Sequence, residues 1–431
     1  VTIGTSARTA GRAGGSTPTL SLSPLRAVRY DAARVSDLAA VLAQPCDVTD
    51  PDSAHVVADA DPHSVLRLIL PGARGQAAAA RYRHAAATFT EWLRLGVLAA
   101  DPEPALYVYE RDDGGSAQRG LIGGLGLCEP DAGVVLPHED VLPGLVEDRL
   151  RLVSALRANL EPILLGYRGG PAAAQVIEAV AAEEPVQSAR LGGVTHRLWS
   201  TSDPERLAAV SAELAPRQAL IADGHHRYAT YLRLRERYRA AGFGPGPWDQ
   251  ALALLIDSSR HPLWVRAIHR VLPELPLRTA LDRARQVFRV RPVRLDPDEA
   301  LARLGPNAGA FLLAGEDGLW QVDRPAADAV ARWVRTDRPE LWRRLDATIL
   351  HEVLFAVWGV RDEDRFVRYH HEPASAVSAA RRSGGVAVLL APADAGSVAK
   401  LAAAGVRMPR KSTSFGPKPL AGLVLRSFAV G

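Results

Sequence analysis

The apolar positions of this chain fall into short runs and helical stripes that alternate along most of its length. The run Ala219-Leu220-Ile221-Ala222 stops at Asp223-Gly224, and a charged segment follows with Tyr228, Tyr231, Leu232, Leu234 and Tyr238 near helical spacing. A buried strand, a tight turn and a helix over about His225 to Arg239 are predicted. Leu106 to Glu110 and Arg119 to Leu125 flank Asp112-Asp113-Gly114-Gly115, the pattern of a hairpin. Ala251 to Ile256 and Gly385 to Leu390 are apolar throughout and read as buried strands. Leu263 to Arg270 alternates well enough to join the first of them in its sheet. Val65 to Leu70, ended by Pro71-Gly72, reads as a strand interrupted by Arg67.

Helices are predicted where Tyr82, Ala86, Phe89 and Leu93 recur before Gly96, and over Ala172 to Ala182 and Pro204 to Leu214. Leu152, Leu156 and Leu160 mark the buried face of another from Glu147 to Leu160. Leu345, Ile349, Val353 and Val357 precede Gly359 in the same manner, and a final strand is expected over Leu420 to Arg426. Between Leu272 and about Val334 shorter helices and strands alternate with little concentrated chemistry. The whole is an α/β pattern with a mixed sheet and an accessory α/β layer. The organisation read from it is a disordered tail over 1–20, a core over 21–270, the accessory segment over 271–340, and a C-terminal segment over 341–431 that returns to the core.

Composition removes several function classes. Basic residues number 52 and acidic ones 48, for a net charge of +4, and no basic block stands out, which argues against a nucleic-acid partner. Cys46 and Cys128 are the two cysteines and form no close-spaced ligand pair, so neither a zinc site nor a disulfide framework is indicated. No apolar run approaches the ~18 residues of a membrane span, and a cytoplasmic protein acting on a small molecule is expected. Lysine occurs only as Lys400, Lys411 and Lys418 in this arginine-rich chain, and two of the three fall within Lys411-Ser412-Thr413-Ser414-Phe415-Gly416-Pro417-Lys418. A segment that departs from the chain's own bias points to a need for the compact ammonium.

The chemistry concentrates at the turn. Glycine lets a ligand approach the backbone, and the first turn of a helix offers unpaired N–H groups at the positive end of its dipole. His225, His226 and Arg227 add side-chain donors, so the corner suits an anion, most simply a phosphate. The plainer alternative is an Asp-Gly turn before a helix with solvated basic residues. His138, Glu139, Glu147 and Asp148 place four titratable groups beside one loop, which serve as solvated caps, as a general base or as a magnesium carboxylate. Arg67 either points out of its strand or reaches a site at the sheet edge, and His269-Arg270 ends a strand that faces the same site or the surface.

The chain resembles the domain-of-unknown-function 1015 (DUF1015) family of bacteria and archaea. The residues that carry the resemblance are Ile221-Ala222-Asp223-Gly224-His225-His226-Arg227-Tyr228, Asp61-Pro62-His63, Leu136-Pro137-His138-Glu139, Glu147-Asp148-Arg149-Leu150, Asn159-Leu160-Glu161-Pro162, His196-Arg197-Leu198-Trp199, His269-Arg270 and Met408-Pro409-Arg410-Lys411-Ser412-Thr413. Cys46 stands where tyrosine is usual, Val146 where lysine is common, and Ser414 and Gly416 where aromatics are common. The turn is similar to the phosphate-binding turn of the ParB and sulfiredoxin superfamily, which includes nucleotide hydrolases and free-serine kinases.

The resemblance implies a ParB/sulfiredoxin-like phosphate-binding core and a small-molecule phosphotransferase that phosphorylates free L-serine or a related hydroxyl compound. ATP, ADP or pyrophosphate is the implied donor, with Mg²⁺. Gly224, His225, His226 and Arg227 would grip the donor phosphates, with His226 also catalytic, and Asp223 would orient the turn or hold Mg²⁺. Glu139 or Asp148 would take the proton of the acceptor hydroxyl, and Lys411 would place a point charge on the transferring group. Arg67, His138, Arg270, Ser412 and Thr413 would line the substrate side. The same corner run in reverse gives a phosphatase or nucleotide hydrolase. A nucleotide-binding ParB-like regulator would need a basic DNA-binding domain, and none is visible. The expectation that ties these together is geometric: the loop at His138, the helix start at Asp148 and the loop at Lys411 should surround Gly224.

Overall fold

Nine strands make the larger sheet: β1 (Leu22–Ser23), β2 (Leu106–Asp112), β3 (Ala117–Gly126), β4 (Val135–Leu136), β5 (Ile163–Tyr167), β6 (Gln187–Leu191), β7 (Val194–Thr201), β8 (Ala219–Asp223) and β9 (Gln250–Asp257). Their order is β4-β8-β5-β9-β3-β2-β7-β6, with β1 added on β3. The computed structural model describes residues 18–35, 37–45, 58, 60–72, 78–363 and 366–430. All but the last residues of the predicted tail, and Cys46, lie outside them.

The sheet is mixed. β9 runs parallel to β5 and antiparallel to β3, and Ala251 to Ile256 are enclosed on both faces, which is why that stretch shows no polar alternation. β8 runs antiparallel to β5 but parallel to β4, with Ala219 opposite Val135 and Leu220 opposite Leu136. Parallel neighbours leave a sheet at the same end, so the segment after Leu136 and the turn after Asp223 emerge side by side. That single pairing places the site.

Five helices matter to it: α1 (Ala78–Arg94), α2 (Pro143–Leu156), α3 (Pro171–Ala181), α4 (Pro204–Leu214) and α5 (His225–Ala240). α2 packs against both α1 and α5. It begins four residues before the predicted Glu147, with Pro143 in the first turn, where its missing N–H and fixed φ suit a helix start. It ends at Arg157, whose φ of 50° is left-handed, so Leu160 is buried beyond the helix and not on it. The predicted strand Val65 to Leu70 is a single helical turn, Leu66–Ile69. A six-residue apolar run without alternation has no period of its own to separate the two conformations.

After β9 come β10 (Trp264–Arg266), β11 (His269–Leu272), β12 (Arg289–Val293), β13 (Phe311–Gly315), β14 (Gly318–Asp323), β15 (Arg368–His370), β16 (Val386–Leu390) and β17 (Ser414–Gly416). The stretch expected as one strand beside β9 is therefore two, and neither joins β9. β10 pairs with β17, and β11 lies in a second, wholly antiparallel sheet of order β12-β14-β13-β16-β11-β15. This sheet draws strands from both sides of residue 341. The expected final strand contracts to Arg426–Ser427, paired with Ala158–Asn159. Among the described residues no helix is long and apolar enough to cross a membrane.

The fold buries histidines in neutral form, which gives its stability a pH dependence. Burial, with Arg111 nearby, depresses His196 to about 4, and burial with Arg270 depresses His269 to about 3. Each folded value lies below the ~6.5 of an unfolded histidine, so protons favour the unfolded chain: stability is full above that pH and is lost as pH falls toward 3 to 4. The two shifts are worth roughly 3 to 5 kcal/mol each at completion. Urea denaturation is expected to show a lower midpoint at pH 5 than at pH 7.5, and equal midpoints would contradict the buried neutral assignment.

Candidate functional site

The central turn has the predicted form. β8 ends at Asp223, Gly224 takes φ 97° and ψ 28°, and α5 starts at His225. A side chain at Gly224 would be strained by that φ, and a Cβ there would lie 3.1 Å from the Arg227 guanidinium. Gly224 caps the helix with no side-chain bond, and the first backbone bond of the turn runs from the Tyr228 N–H to the Gly224 carbonyl at 2.9 Å. The amides of His225, His226 and Arg227 precede it and have no intrahelical acceptor.

These residues border a cavity of about 230 Å³. Asp223 to Arg227 form one wall, Glu139, Asp140 and Leu142 a second, Arg149 and Glu161 a third, and Arg410, Lys411, Thr413, Ser414 and Lys418 a fourth. The three segments expected around Gly224 all reach the cavity, the helix start through Leu145 and Arg149 and not through Asp148. The Met408 N–H donates to the His138 carbonyl at 2.8 Å and seats one loop on the other.

The two histidines of the turn have a first task that the sequence did not show. His225 Nε2 accepts the His138 backbone N–H at 3.2 Å, and His226 Nε2 accepts that of Leu142 at 3.0 Å. They pin the loop that carries Glu139. An imidazole that accepts at Nε2 keeps its proton on Nδ1 when neutral. Both are held neutral: burial and then His138 push His225 well below the ordinary histidine value, and burial and then Lys411 lower His226.

Glu139 is bound tightly to the lysine loop. Its Oε1 accepts both the N–H and the hydroxyl of Thr413, each at 2.9 Å. Oε2 has no partner among the described residues, in a side chain that lines the cavity. The Thr413 hydroxyl spends its proton on Glu139 and so accepts from His138, whose Nε2 lies 2.7 Å away. His138 itself is fully buried, edge-on to His225 and Phe415, and burial lowers its pKa. It orders the loop and is not among the residues that line the cavity.

Lys418 is the residue that the sequence reading passed over. Its Nζ lies 2.8 Å from Asp223 Oδ1, with 6% of the side chain exposed, while Arg227 pairs with Asp223 Oδ2 and donates to the Pro162 carbonyl at 2.7 Å. Burial alone would raise the Asp223 carboxyl, but Lys418 and Arg227 hold it well below the usual carboxylate range. The signal for Lys418 was the rarity of lysine, which marked its segment but not its partner. With both oxygens facing cations, Asp223 does not fit the role of a Mg²⁺ ligand. Among the described residues no group of three His, Cys, Asp or Glu side chains gathers into a metal site. The predicted metal role of Asp223 is corrected accordingly: the carboxylate orients Arg227 and Lys418.

Four other predicted residues stand elsewhere. Asp148 is exposed and accepts a bond from Tyr82 of α1, whereas Arg149, one residue on, lines the cavity and lies 3.7 Å from Glu161. One residue is about 100° of helix rotation, enough to change neighbours. Arg67 donates from Nε to the carbonyls of Ala58 and Asp61 at 3.0 and 3.2 Å and does not line the cavity. Arg270 is buried behind the lysine loop, where it donates to the Lys411 carbonyl at 3.0 Å. Ser412 is buried too, with its hydroxyl on the Pro409 carbonyl. Asp148→Asn is therefore expected to leave any turnover at this site within about twofold and to cost under ~1 kcal/mol in stability, as exposed polar contacts do. A larger loss of turnover would return Asp148 to the site.

The family model described as "Protein of unknown function (DUF1015)" matches residues 22–348. The comparison with curated proteins gives no match. Among solved structures, the chain is similar to a free serine kinase in complex with AMP, at 15% identity and a TM-score of 0.35, covering 69% of this chain and 87% of that one. It is similar to SbnI with C-terminal truncation from Staphylococcus aureus, at 10% identity and a TM-score of 0.36, covering 70% and 86%. A conserved hypothetical protein from Pyrococcus furiosus is similar at 13% identity and a TM-score of 0.34, covering 69% and 90%. Likeness at this level assigns no residue a role.

Proposed function

The chain belongs to the DUF1015 family, and for it we propose a small-molecule phosphotransferase whose phosphate-holding corner is the turn from Asp223 to Arg227. The observation that carries this reading is the meeting, at the uncapped start of α5, of a carboxylate from one loop and two lysines from another: Glu139, Lys411 and Lys418 share one cavity with Gly224. Phosphoryl transfer asks chiefly for positioning and charge neutralisation, and this corner is built from backbone N–H groups and cations.

In this reading the first-turn amides of α5, at His225, His226 and Arg227, hold the donor phosphates, and Gly224 lets them approach the backbone. Lys411 and Lys418 neutralise charge on the transferring group. The acceptor hydroxyl gives its proton to Glu139 Oε2 as its oxygen bonds to phosphorus, and the bond from phosphorus to the donor's bridging oxygen breaks. Thr413 keeps the Glu139 carboxylate in place throughout. The acceptor class, free L-serine or a related hydroxyl compound, is proposed from the likeness of the Asp-Gly-His-His-Arg turn to that of free-serine kinases.

Phosphorus NMR tests the proposal: ATP, ADP and pyrophosphate are offered with L-serine and other hydroxyl compounds, and without acceptor. A phosphate-ester signal that requires both protein and acceptor is the expected result. Donor loss to free phosphate alone would make the site a hydrolase. No donor consumption, with phosphate and nucleotide affinities unchanged in His226→Ala, would overturn the reading.

A further inference from the structure

Behind the Lys411 loop lies a ring of partly buried polar contacts, with Arg270 fully buried, that the proposed chemistry does not use. Arg410, which lines the cavity, sends Nε to Asp362 Oδ2 and Nη2 to Oδ1, both at 2.8 Å. Asp362 also accepts the Tyr369 hydroxyl at 2.6 Å and lies 3.2 Å from His351 Nδ1. His351 Nε2 faces Arg270 Nη2 at 3.1 Å, and that same nitrogen reaches the Lys411 carbonyl at 3.0 Å. Both guanidiniums stand over the Tyr369 ring, that of Arg270 at 5.4 Å and that of Arg410 at 5.7 Å from its centroid.

The ring closes on itself. It starts at the side chain of Arg410 and ends at the carbonyl of Lys411, the next residue, so it grips both sides of one peptide. An arginine only donates, so His351 accepts at Nε2 and carries its proton on Nδ1, toward Asp362. Each contact of the ring then joins a donor to an acceptor, while the buried Arg270 Nε has no partner among the described residues. Lys411 meanwhile has φ 56°, a left-handed conformation that a lysine adopts only at a cost. Such conformations persist where surrounding contacts over-determine them.

We propose that Asp362 is a positioning residue of the cavity: through His351 and Arg270 on one side and Arg410 on the other, it holds Lys411 left-handed and so aims its ammonium at the phosphate corner. The members of the ring come from β11, β15 and the segment 349–362, which gives the second sheet the task of buttressing the site. The kinetic part of the test rests on the phosphotransferase reading, whereas the spectroscopic part does not.

Reductive ¹³C-methylation labels only the amines, and with three lysines in the chain the Lys411 resonance is identified by its loss in Lys411→Arg. Asp362→Asn keeps the shape and removes the charge. It is expected to shift the Lys411 signal and leave that of Lys400, in the helix Ala395–Ala403, where it was. On the donor and acceptor found by phosphorus NMR, kcat should fall about 10- to 100-fold with donor KM little changed, the size expected when a reacting group is misplaced by about an ångström. Asp362→Asn added to Lys411→Met should lower kcat no further. An unmoved Lys411 signal in folded Asp362→Asn protein overturns the proposal, and so does an additive double variant. Should Asp362→Asn fail to fold, His351→Phe opens the ring while keeping the stack on Phe355, and the same shift is required of it. If the wild type consumes no donor, the phosphotransferase reading fails while the Lys411 signal still decides the positioning role.

Discussion

Glu139→Gln is expected to lower kcat by about 10²- to 10⁴-fold, the usual worth of a positioned general base, with little change in thermal stability. Glutamine keeps an oxygen at the position of Oε1, so the N–H and hydroxyl of Thr413 still find an acceptor and the two loops stay joined. What disappears is the carboxylate that takes the hydroxyl proton. Glu139→Ala separates the two roles, because it also strips the acceptor from the Thr413 amide in a buried residue. That variant should lose stability as well, by about 1 to 3 kcal/mol for a buried donor left unmade. The check is steady-state kinetics on the reactive pair alongside thermal melts of both variants. A loss of less than about tenfold in Glu139→Gln would remove it as the base.

Lys418→Met is the second large effect. Removing one partner of a buried ion pair costs roughly 3 to 5 kcal/mol because the remaining charge keeps its desolvation penalty. Arg227 still faces Asp223 on the other oxygen, which argues for the lower end of that range, about 3 kcal/mol. The pair also sets an acid limb. Asp223 is held below its unfolded value, so its contribution is present above about pH 4 and is lost only as pH falls through a strongly acidic folded value. Without Lys418 that limb should move to higher pH. Urea denaturation of Lys418→Met, Asp223→Asn and the double variant measures the coupling: the double variant should be more stable than the two single losses add up to. Strict additivity would mean that the contact is incidental.

The parts of the site that could be read from the chain are those made by neighbours in sequence. Asp-Gly after an apolar run, followed by a helical stripe, required only short-range sterics, and the turn at Gly224 formed as expected. The lysine segment was visible for a different reason, as a departure from the chain's arginine bias. The errors have one physical source. Asp148 and Arg149 are equally polar and adjacent, and the buried stripe of Leu152 and Leu156 does not say which neighbour each polar position will meet. The alternation in Leu263 to Arg270 suits one sheet as well as another, since a strand's period carries no address. Arg67 lay in a run too short to have a period at all.

Sequence by itself determined the local conformations and the chemical types: the strand, turn and helix around Gly224, the α/β alternation, and the placing of lysine at 411 and 418. Only the tertiary structure decided which of those groups act together. Pairing β4 parallel to β8 set the Glu139 loop beside the turn, the return of the chain after β16 brought Lys418 to Asp223, and the ring through Asp362 set the backbone of Lys411. Each joins segments far apart along the chain, held by the burial of whole sheets and helices, and no local pattern of residues encodes such a meeting.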